Sequence, residues 1–369
     1  MISSQNNLQP NLQYDQKAPA MGLFSAKDFD NHEHISFFAD PKTGLKTIIA
    51  IHNTKRGPAL GGCRMWAYAS EDDAITDALR LSRGMTYKAA MADLPLGGGK
   101  SVIIGDANRD KTPALFEKMG ECVETLGGQY IIAEDVGITT DDVANMAKKT
   151  KHAVGLAKTS GDPSPVTAYG VYKGLKAAMR NRLGHENVRD VKFALQGVGH
   201  VGMEILKLLF EDGLIARNGN QIFVCDINES YVKKAVDNFG VIAVAPERIY
   251  EQDVDVFVPC ALGAIINDRT IGKLRASIVA GCANNQLAEA RHGQALMDRK
   301  ILYAPDYVIN AGGLINVYHE LGGKLYDRQK ALAHVLNIYN TLQEVFDLSA
   351  KQNIPTSKAA DSIAETRFK

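Results

Sequence analysis

Residues 191–210 read VKFALQGVGHVGMEILKLLF. The strand-like run KFALQ meets glycines at Gly197, Gly199 and Gly202, with His200 and Val201 inside the turn, and a helix-spaced apolar pattern follows. This is a G-x-G-x-x-G fingerprint in the strand, turn and helix setting that gives it meaning. Its glycines let a pyrophosphate lie against the backbone, and the unpaired N–H groups of a helix N-terminus favour the anion. The next strand-like run, QIFVCD, ends at Asp226, the separation expected of an acid that binds a ribose 2′-hydroxyl. A carboxylate there repels the extra phosphate of NADP, and Asn228 with no arginine close behind points the same way, so NAD is the expected cofactor. Aspartate also caps helices and turns, and both roles can coexist.

Working outward, residues 191 to about 310 alternate between strand-like runs (VKFALQ, QIFVCD, VDVFVP, SIVAG and the stretch around YVIN) and helical segments. Alternation of this kind predicts a parallel sheet wrapped by helices. Upstream, the turn-rich SGDPSPVTAYG (160–170) leads into a helical segment; from Asp327 onward Leu332, Val335, Ile338, Leu342 and Val345 predict helices. Nearer the N-terminus, ISFFAD and LKTIIAIHN joined by PKTG predict a hairpin, and GPALGGCRM (57–65) then interrupts regular structure. Ser70 with Asp73 starts a helix carrying Ala74, Ala78, Leu81 and Met85, and PALFEKMGECVETLGG is a second helix. QYIIAEDVG is a strand ending in Glu134 and Asp135, whose side chains alternation turns apart.

The stretch MTYKAAMADLPLGGGKSVIIG (85–105) sets Lys88 at the end of a helix and Lys100 after three glycines. Glycines admit a ligand close to the backbone, and the apolar residues that follow dry the ammonium, favouring a lysine that works as a base near neutral pH. A triphosphatase loop is excluded by spacing, because the glycine it requires five residues before Gly-Lys is Leu94.

Over 369 residues, 45% apolar and 23% charged, the chain has the composition of a globular protein of about two domains. Its 42 Lys plus Arg equal its 42 Asp plus Glu, so no overall field draws it to nucleic acid or acidic membranes. Five scattered cysteines without C-x-x-C spacing predict reduced thiols and a cytoplasmic location. No apolar run is long enough for a membrane span, and residues 1–20 read as a polar extension. His32, Glu33 and His34 read as solvated residues at a strand start; no metal site is expected.

The motifs GPALGGCRM, GMTYKAAMADLPLGGGKSVIIGD, AEDVG, SGDPSPVTAYGV, GVGHVG, CANNQL and YAPDYVINAGGLINV occur in this order between residues 57 and 317, within a likeness that runs from about residue 30 to beyond 350. In them the chain resembles the amino acid dehydrogenase family that includes glutamate, leucine, valine and phenylalanine dehydrogenases, most closely its leucine-specific members. The resemblance implies an α/β fold in two parts with a cleft between them: an N-terminal substrate and oligomerisation domain (21–157, plus a C-terminal helix at about 348–369) and a C-terminal Rossmann NAD-binding domain (158–347). It implies reversible oxidative deamination of an L-amino acid to a 2-oxo acid and ammonium, in a homo-oligomer, octamers being frequent among close relatives. By motif position, Lys88 pairs with the substrate carboxylate, Lys100 is the low-pKa lysine that activates water, and Asp135 moves protons to and from the amino group. Gly61 and Asn285 lie by the substrate and Thr167 by the nicotinamide, while Cys260, Ala261 and Asn284 flank the cofactor; which of Asn284 and Asn285 faces the cleft is open.

The resemblance also assigns the wall of the substrate pocket to Leu60, Met85, Ala133, Leu314 and Val317. Glutamate-specific members carry a lysine where this chain has Leu60 and a serine where it has Val317. An apolar pocket would leave a second carboxylate buried and unpaired, so leucine, valine or isoleucine is expected and glutamate is not. A phenylalanine or valine dehydrogenase of the same family is the alternative, and a non-catalytic dinucleotide sensor that kept the fold is a remoter one.

Overall fold

The computed structural model describes residues 22–26, 28–155, 162–214, 222–261, 263–321 and 326–369. The extension 1–20, the expected boundary at 157/158 and the start of the stretch 160–170 lie outside the described residues.

The N-terminal part contains β1 (His34–Asp40), β2 (Leu45–Asn53), β3 (Ala59–Trp66), α1 (Glu71–Met91), β4 (Gly97–Ile104), α2 (Pro113–Thr125), β5 (Tyr130–Glu134) and α3 (Thr140–Ala147). The strands form one sheet in the order β1-β2-β4-β3-β5. The PKTG hairpin is as expected: β1 and β2 pair antiparallel, Asp40 Oδ2 accepts from the Thr43 N–H at 3.0 Å, and Gly44 takes φ 77°. Ser70 caps α1, its Oγ accepting from the Asp73 N–H at 3.1 Å.

GPALGGCRM is no interruption. It supplies β3, which pairs in parallel with both β4 and β5. Glycines weaken an isolated strand, which is why the run reads as a break, but here they allow close packing. A Cβ on Gly61 would overlap the Gly99 carbonyl oxygen, and one on Gly62 would come within 2.7 Å of Asp135 Cβ. The triple glycine is likewise a strand. A Cβ on Gly98 would overlap the backbone of Thr86 in α1, and one on Gly99 would lie 2.7 Å from the Tyr130 ring. These glycines admit a helix and an aromatic ring, and Lys100 consequently emerges in the middle of the sheet. His32 also departs from expectation. Lying just before β1, it turns inward, its Nε2 3.0 Å from both Leu79 O and Ser82 Oγ.

The C-terminal part contains α4 (Ser164–Leu183), β6 (Phe193–Gln196), α5 (His200–Glu211), β7 (Ile222–Cys225), α6 (Glu229–Phe239), β8 (Ile242–Ala243), β9 (Val256–Pro259), β10 (Ile278–Val279), α7 (Arg291–Asp298), β11 (Leu302–Tyr303), α8 (Asp306–Ile309) and α9 (Gly312–Tyr318). Three helices follow: α10 (Arg328–Val335), α11 (Asn337–Gln352) and α12 (Thr356–Phe368). The sheet is parallel, in the order β11-β10-β9-β6-β7-β8, and the strand order reverses beside β6. Such a switch point opens a ligand crevice at the carboxyl ends of the strands.

Two expectations fail here. YVIN lies in the short helix α8 and the Asn310 that ends it; the strand is the preceding β11. A short buried apolar run does not distinguish helix from strand, and Pro305 with the Asp306 carboxylate, which accepts from the Tyr307 N–H at 2.6 Å, tips this one to helix. The expected helix at 348–369 is two helices, because Asn353 takes φ 53° and Pro355 stands before α12. α12 returns to the N-terminal part: the Tyr87 hydroxyl donates to Glu365 Oε1 at 3.0 Å and Phe368 packs edge-on to Tyr87.

Candidate active site

Four elements of the N-terminal part bring the polar groups together. Lys100 on β4 is 6% exposed, and its Nζ donates to Asp135 Oδ2 just beyond β5. Arg64 on β3 brings its Nε to 3.4 Å of the same oxygen. Burial opposes the charge of Asp135, but Lys100 and Arg64 more than offset it and hold the carboxyl below its usual range. On α1, burial pushes the Lys88 ammonium down to about 8; Asp306 opposes this and the Lys100 charge adds to it.

Lys88 opens on a cleft of about 660 Å³ between the two parts. Leu60, Met85 and Ala133 line it from the N-terminal side, Leu314 and Val317 of α9 and His200 of α5 from the other. All seven were expected at the site, and the fold gathers them around one space. Gly62 lines the cleft in place of Gly61, whose carbonyl accepts from the Tyr130 hydroxyl at 2.7 Å. Thr167 begins α4 and donates to Pro163 O at 3.0 Å. Asn284 Oδ1 is held by Asn310 Nδ2 at 2.7 Å and Asn285 takes φ 51°; both residues are exposed.

Several lining residues escaped the sequence reading. Glu134, Asp162 and Glu320 bring three carboxylates to the same cleft. Burial, then the charges of Asp162, Glu320 and Asp135, push the Glu134 carboxyl above its usual range. Strand alternation turns Glu134 away from Asp135 but not away from the cleft, a distinction that needs the third dimension. Asp306, the acid nearest in effect to Lys88, accepts from the Gln286 N–H at 2.7 Å, and burial raises its pKa. Asp306 opens α8 just past β11, a position hidden by the expectation that YVIN itself is a strand.

At the fingerprint, Gly197 takes φ 97° and a Cβ on Gly202 would overlap the Gly197 carbonyl oxygen, so the turn closes tightly. Above Gly199 the space is open, the nearest atom to a Cβ built there being 4.0 Å away in Tyr231. α5 begins at His200 with no side-chain cap, and a depression of about 280 Å³ over Val198, Gly199 and His200 lies at its N-terminus. Uncapped N–H groups facing an open space suit a pyrophosphate. Cys260 and Ala261 follow β9 and back the turn, 2.8 Å from a Cβ built on Gly197. Asp226 holds the turn itself, accepting from Val198 N–H and Asn228 N–H, each at 2.9 Å. Beside it Ile227 is 91% exposed, an apolar surface that folding alone leaves uncovered.

Lys100 and Asp135 do not themselves line the cleft; they reach it through Lys88, which feels both their charges. A parallel sheet with an anion cradle at its switch point, set across a cleft from that lysine cluster, defines a two-domain α/β dehydrogenase. Comparison with known proteins makes this specific. Residues 32–152 match the Glu/Leu/Phe/Val dehydrogenase, dimerisation domain, and residues 160–367 match the Glutamate/Leucine/Phenylalanine/Valine dehydrogenase family. The chain belongs to that family of amino acid dehydrogenases. It is 49% identical over 351 residues to a leucine dehydrogenase of Thermoactinomyces intermedius, covering 94% of each chain. It is 44% identical over 356 residues to a phenylalanine dehydrogenase of Caldalkalibacillus thermarum, again covering 94% of each. The crystal structure of L-tryptophan dehydrogenase from Nostoc punctiforme superposes with a TM-score of 0.81 at 45% identity, covering 92% of this chain and 96% of that one. Among the described residues no helix is long and apolar enough to cross a membrane.

Proposed function

We propose that the chain is an NAD-dependent enzyme that reversibly deaminates apolar L-amino acids, leucine foremost and valine and isoleucine with it, to the 2-oxo acid and ammonium. The observation that carries this reading is the cleft itself, where Lys88 stands beside an apolar wall of Leu60, Met85, Ala133, Leu314 and Val317. Lys88 takes the substrate α-carboxylate, an anion that returns full charge to a lysine depressed by burial. The side chain then falls against the apolar wall. A side-chain carboxylate there would find no cation of its own among the described lining residues and would face Glu134, Asp162 and Glu320, so glutamate is rejected.

NAD would supply the acceptor for the hydride that leaves the substrate Cα. Gly197, Gly199, His200, Val201 and Gly202 would cradle its pyrophosphate, Asp226 would take the ribose, Ile227 would cover the adenine, and Thr167, Cys260, Ala261 and Asn284 would border the nicotinamide end. Lys100, in its neutral form, takes the proton of the attacking water, and Asp135, its hydrogen-bond partner, exchanges protons with the amino group. The Gly61 backbone and Asn285 complete the substrate surroundings. The domains run from 21 to 157, with about 348–369 added, and from 158 to 347. The protein works in the cytoplasm as a homo-oligomer; the match of residues 32–152 to a dimerisation domain supports assembly.

Absorbance of NADH after adding L-leucine to protein and NAD tests the proposal, with a panel of amino acids as the comparison. A rise with leucine, valine and isoleucine and almost none with glutamate is expected. Glutamate matching leucine in kcat/KM would defeat the apolar pocket, phenylalanine or tryptophan outrunning all three aliphatics would make the substrate aromatic, and no rise with any of them would leave a dinucleotide sensor.

A further inference from the structure

Arg64 is absent from the roles assigned above, yet it is the second cation on the carboxylate at the centre of the proposed chemistry. We propose that Arg64 is a positioning residue for proton transfer, clamping Asp135 Oδ2 between its guanidinium and the Lys100 ammonium so that both groups are held ready to lose protons. The inference rests on the reading of Lys100 and Asp135 given under the proposed function.

The geometry is that of a fixed cation. Arg64 Nη1 donates to Asp77 Oδ2 at 2.8 Å, tying β3 to α1, and the Tyr68 hydroxyl donates to the same oxygen at 2.7 Å. Asp77 thus anchors one end of the guanidinium. The other end, Nε, is buried without a hydrogen-bond partner and stands 3.4 Å from Asp135 Oδ2. A buried N–H left unpaired is costly, so a guanidinium kept in that state is held there by the charge of the carboxylate it faces. An arginine serves this purpose because its own proton is not lost in the working range.

A permanent cation favours the unprotonated form of each neighbour. Removing it takes away a repulsion on the Lys100 ammonium and an attraction on the Asp135 carboxylate, and the acid limb of activity is expected to move to higher pH. The other groups that face Asp135 are Lys88 from α1, Glu134 beside it in the chain, the buried Cys63 and Tyr130, and Tyr68, which shares Asp77 with Arg64. None of them is itself replaced in Arg64→Met, and Asp77, left without the guanidinium, adds a negative charge that acts in the same direction. A purely structural Arg64 would bridge β3 and α1 and nothing more; its loss would lower stability and leave the pH profile where it was.

The experiment compares the parent with Arg64→Met, Arg64→Lys and Asp135→Asn, measuring kcat and KM for L-leucine from neutral to alkaline pH, NADH binding by fluorescence, and melting temperature. Asp135→Asn is expected to lose roughly 100-fold or more in kcat. Arg64→Met is expected to move the acid limb of kcat upward by about one pH unit, the scale of a single nearby charge, with NADH binding intact. Arg64→Lys, which keeps the charge, is expected to restore the limb. An acid limb unmoved in Arg64→Met while Asp135→Asn is inactive overturns the proposal for Arg64. Near-parent activity in Asp135→Asn overturns the reading of Asp135 instead, so the two failures are told apart. If Arg64→Met does not fold, Asp77→Asn decides: a loosened guanidinium lowers kcat with the leucine KM unchanged, and a parent kcat overturns the proposal.

Discussion

Lys100 is held nearly dry against a carboxylate, a placement whose desolvation is repaid only by close pairing. Truncating it removes the proposed base and leaves Asp135 with Arg64 as its cation. Lys100→Ala is expected to lower kcat by roughly 10²–10⁴ while NADH binding, measured by fluorescence, stays at the parent value, because the lysine lies outside the fingerprint. Activity within about threefold of the parent, set against that expected loss, would return Lys100 to a structural part in the sheet. Asp226 carries two duties. Its oxygens already accept from Val198 and Asn228, and the proposed ribose contact uses lone pairs that remain. Asp226→Ser is therefore expected to weaken NAD, lower the melting temperature slightly, and narrow the gap to NADP by lifting a repulsion. An unchanged ratio of kcat/KM for the two cofactors would mean that Asp226 serves only the turn.

Between residue and domain, the glycines on β3 and β4 decide the shape of the site. Gly98 allows α1 to lie on β4, and α1 carries Lys88 while β4 carries Lys100, so their separation depends on that contact. Gly98→Ala drives a methyl group into the backbone at Thr86. Overpacking of this kind costs typically 1–3 kcal/mol, and here it is expected to show both as a lower urea midpoint and as a raised KM for leucine. A variant with parent stability and parent KM would show that the helix yields freely. The same glycines explain what the sequence revealed and what it hid. The turn at Gly197–Gly202 was legible because strand, turn and helix are consecutive in the chain and each has its own period. GPALGGCRM was not, since its strand character comes from pairing with β4 and β5, which are distant in sequence. Lys88 and Lys100 could be named, and the lining by Leu60, Met85 and Val317 followed from motif positions. Arg64, Glu134 and Asp306 could not, because their importance lies in which charge they face across elements.

Over the whole molecule, the last helix fastens the C-terminal part to the N-terminal part through a buried cluster that contains His52. Its ring lies edge-on to His32 at 4.9 Å and to Phe368 of α12 at 6.2 Å, with Nδ1 2.8 Å from Thr86 Oγ1 and Nε2 3.5 Å from Asp30 Oδ2. Burial, reinforced by the neighbouring His32 and resisted by Asp30, pushes the His52 pKa from 6.5 down to about 4. A histidine whose folded pKa lies below its unfolded value is protonated first in the unfolded chain. Its favourable contribution is thus complete above about pH 6.5 and is lost as the pH falls toward 4, by up to about 3 kcal/mol. His32, also depressed by burial, acts in the same direction. The raised carboxyls of Glu134, Asp306 and Asp361 act oppositely as they protonate, so the test must isolate the imidazole. His52→Gln keeps a polar side chain near Thr86 and removes the titration. The stability of the parent relative to this variant, from urea unfolding, is expected to be greater near pH 7 than near pH 4.5, since only the parent's unfolded chain gains by protonating an imidazole at position 52. A difference that stays constant between the two pH values would mean that His52 titrates alike in both states and that the fastening of α12 is indifferent to acid.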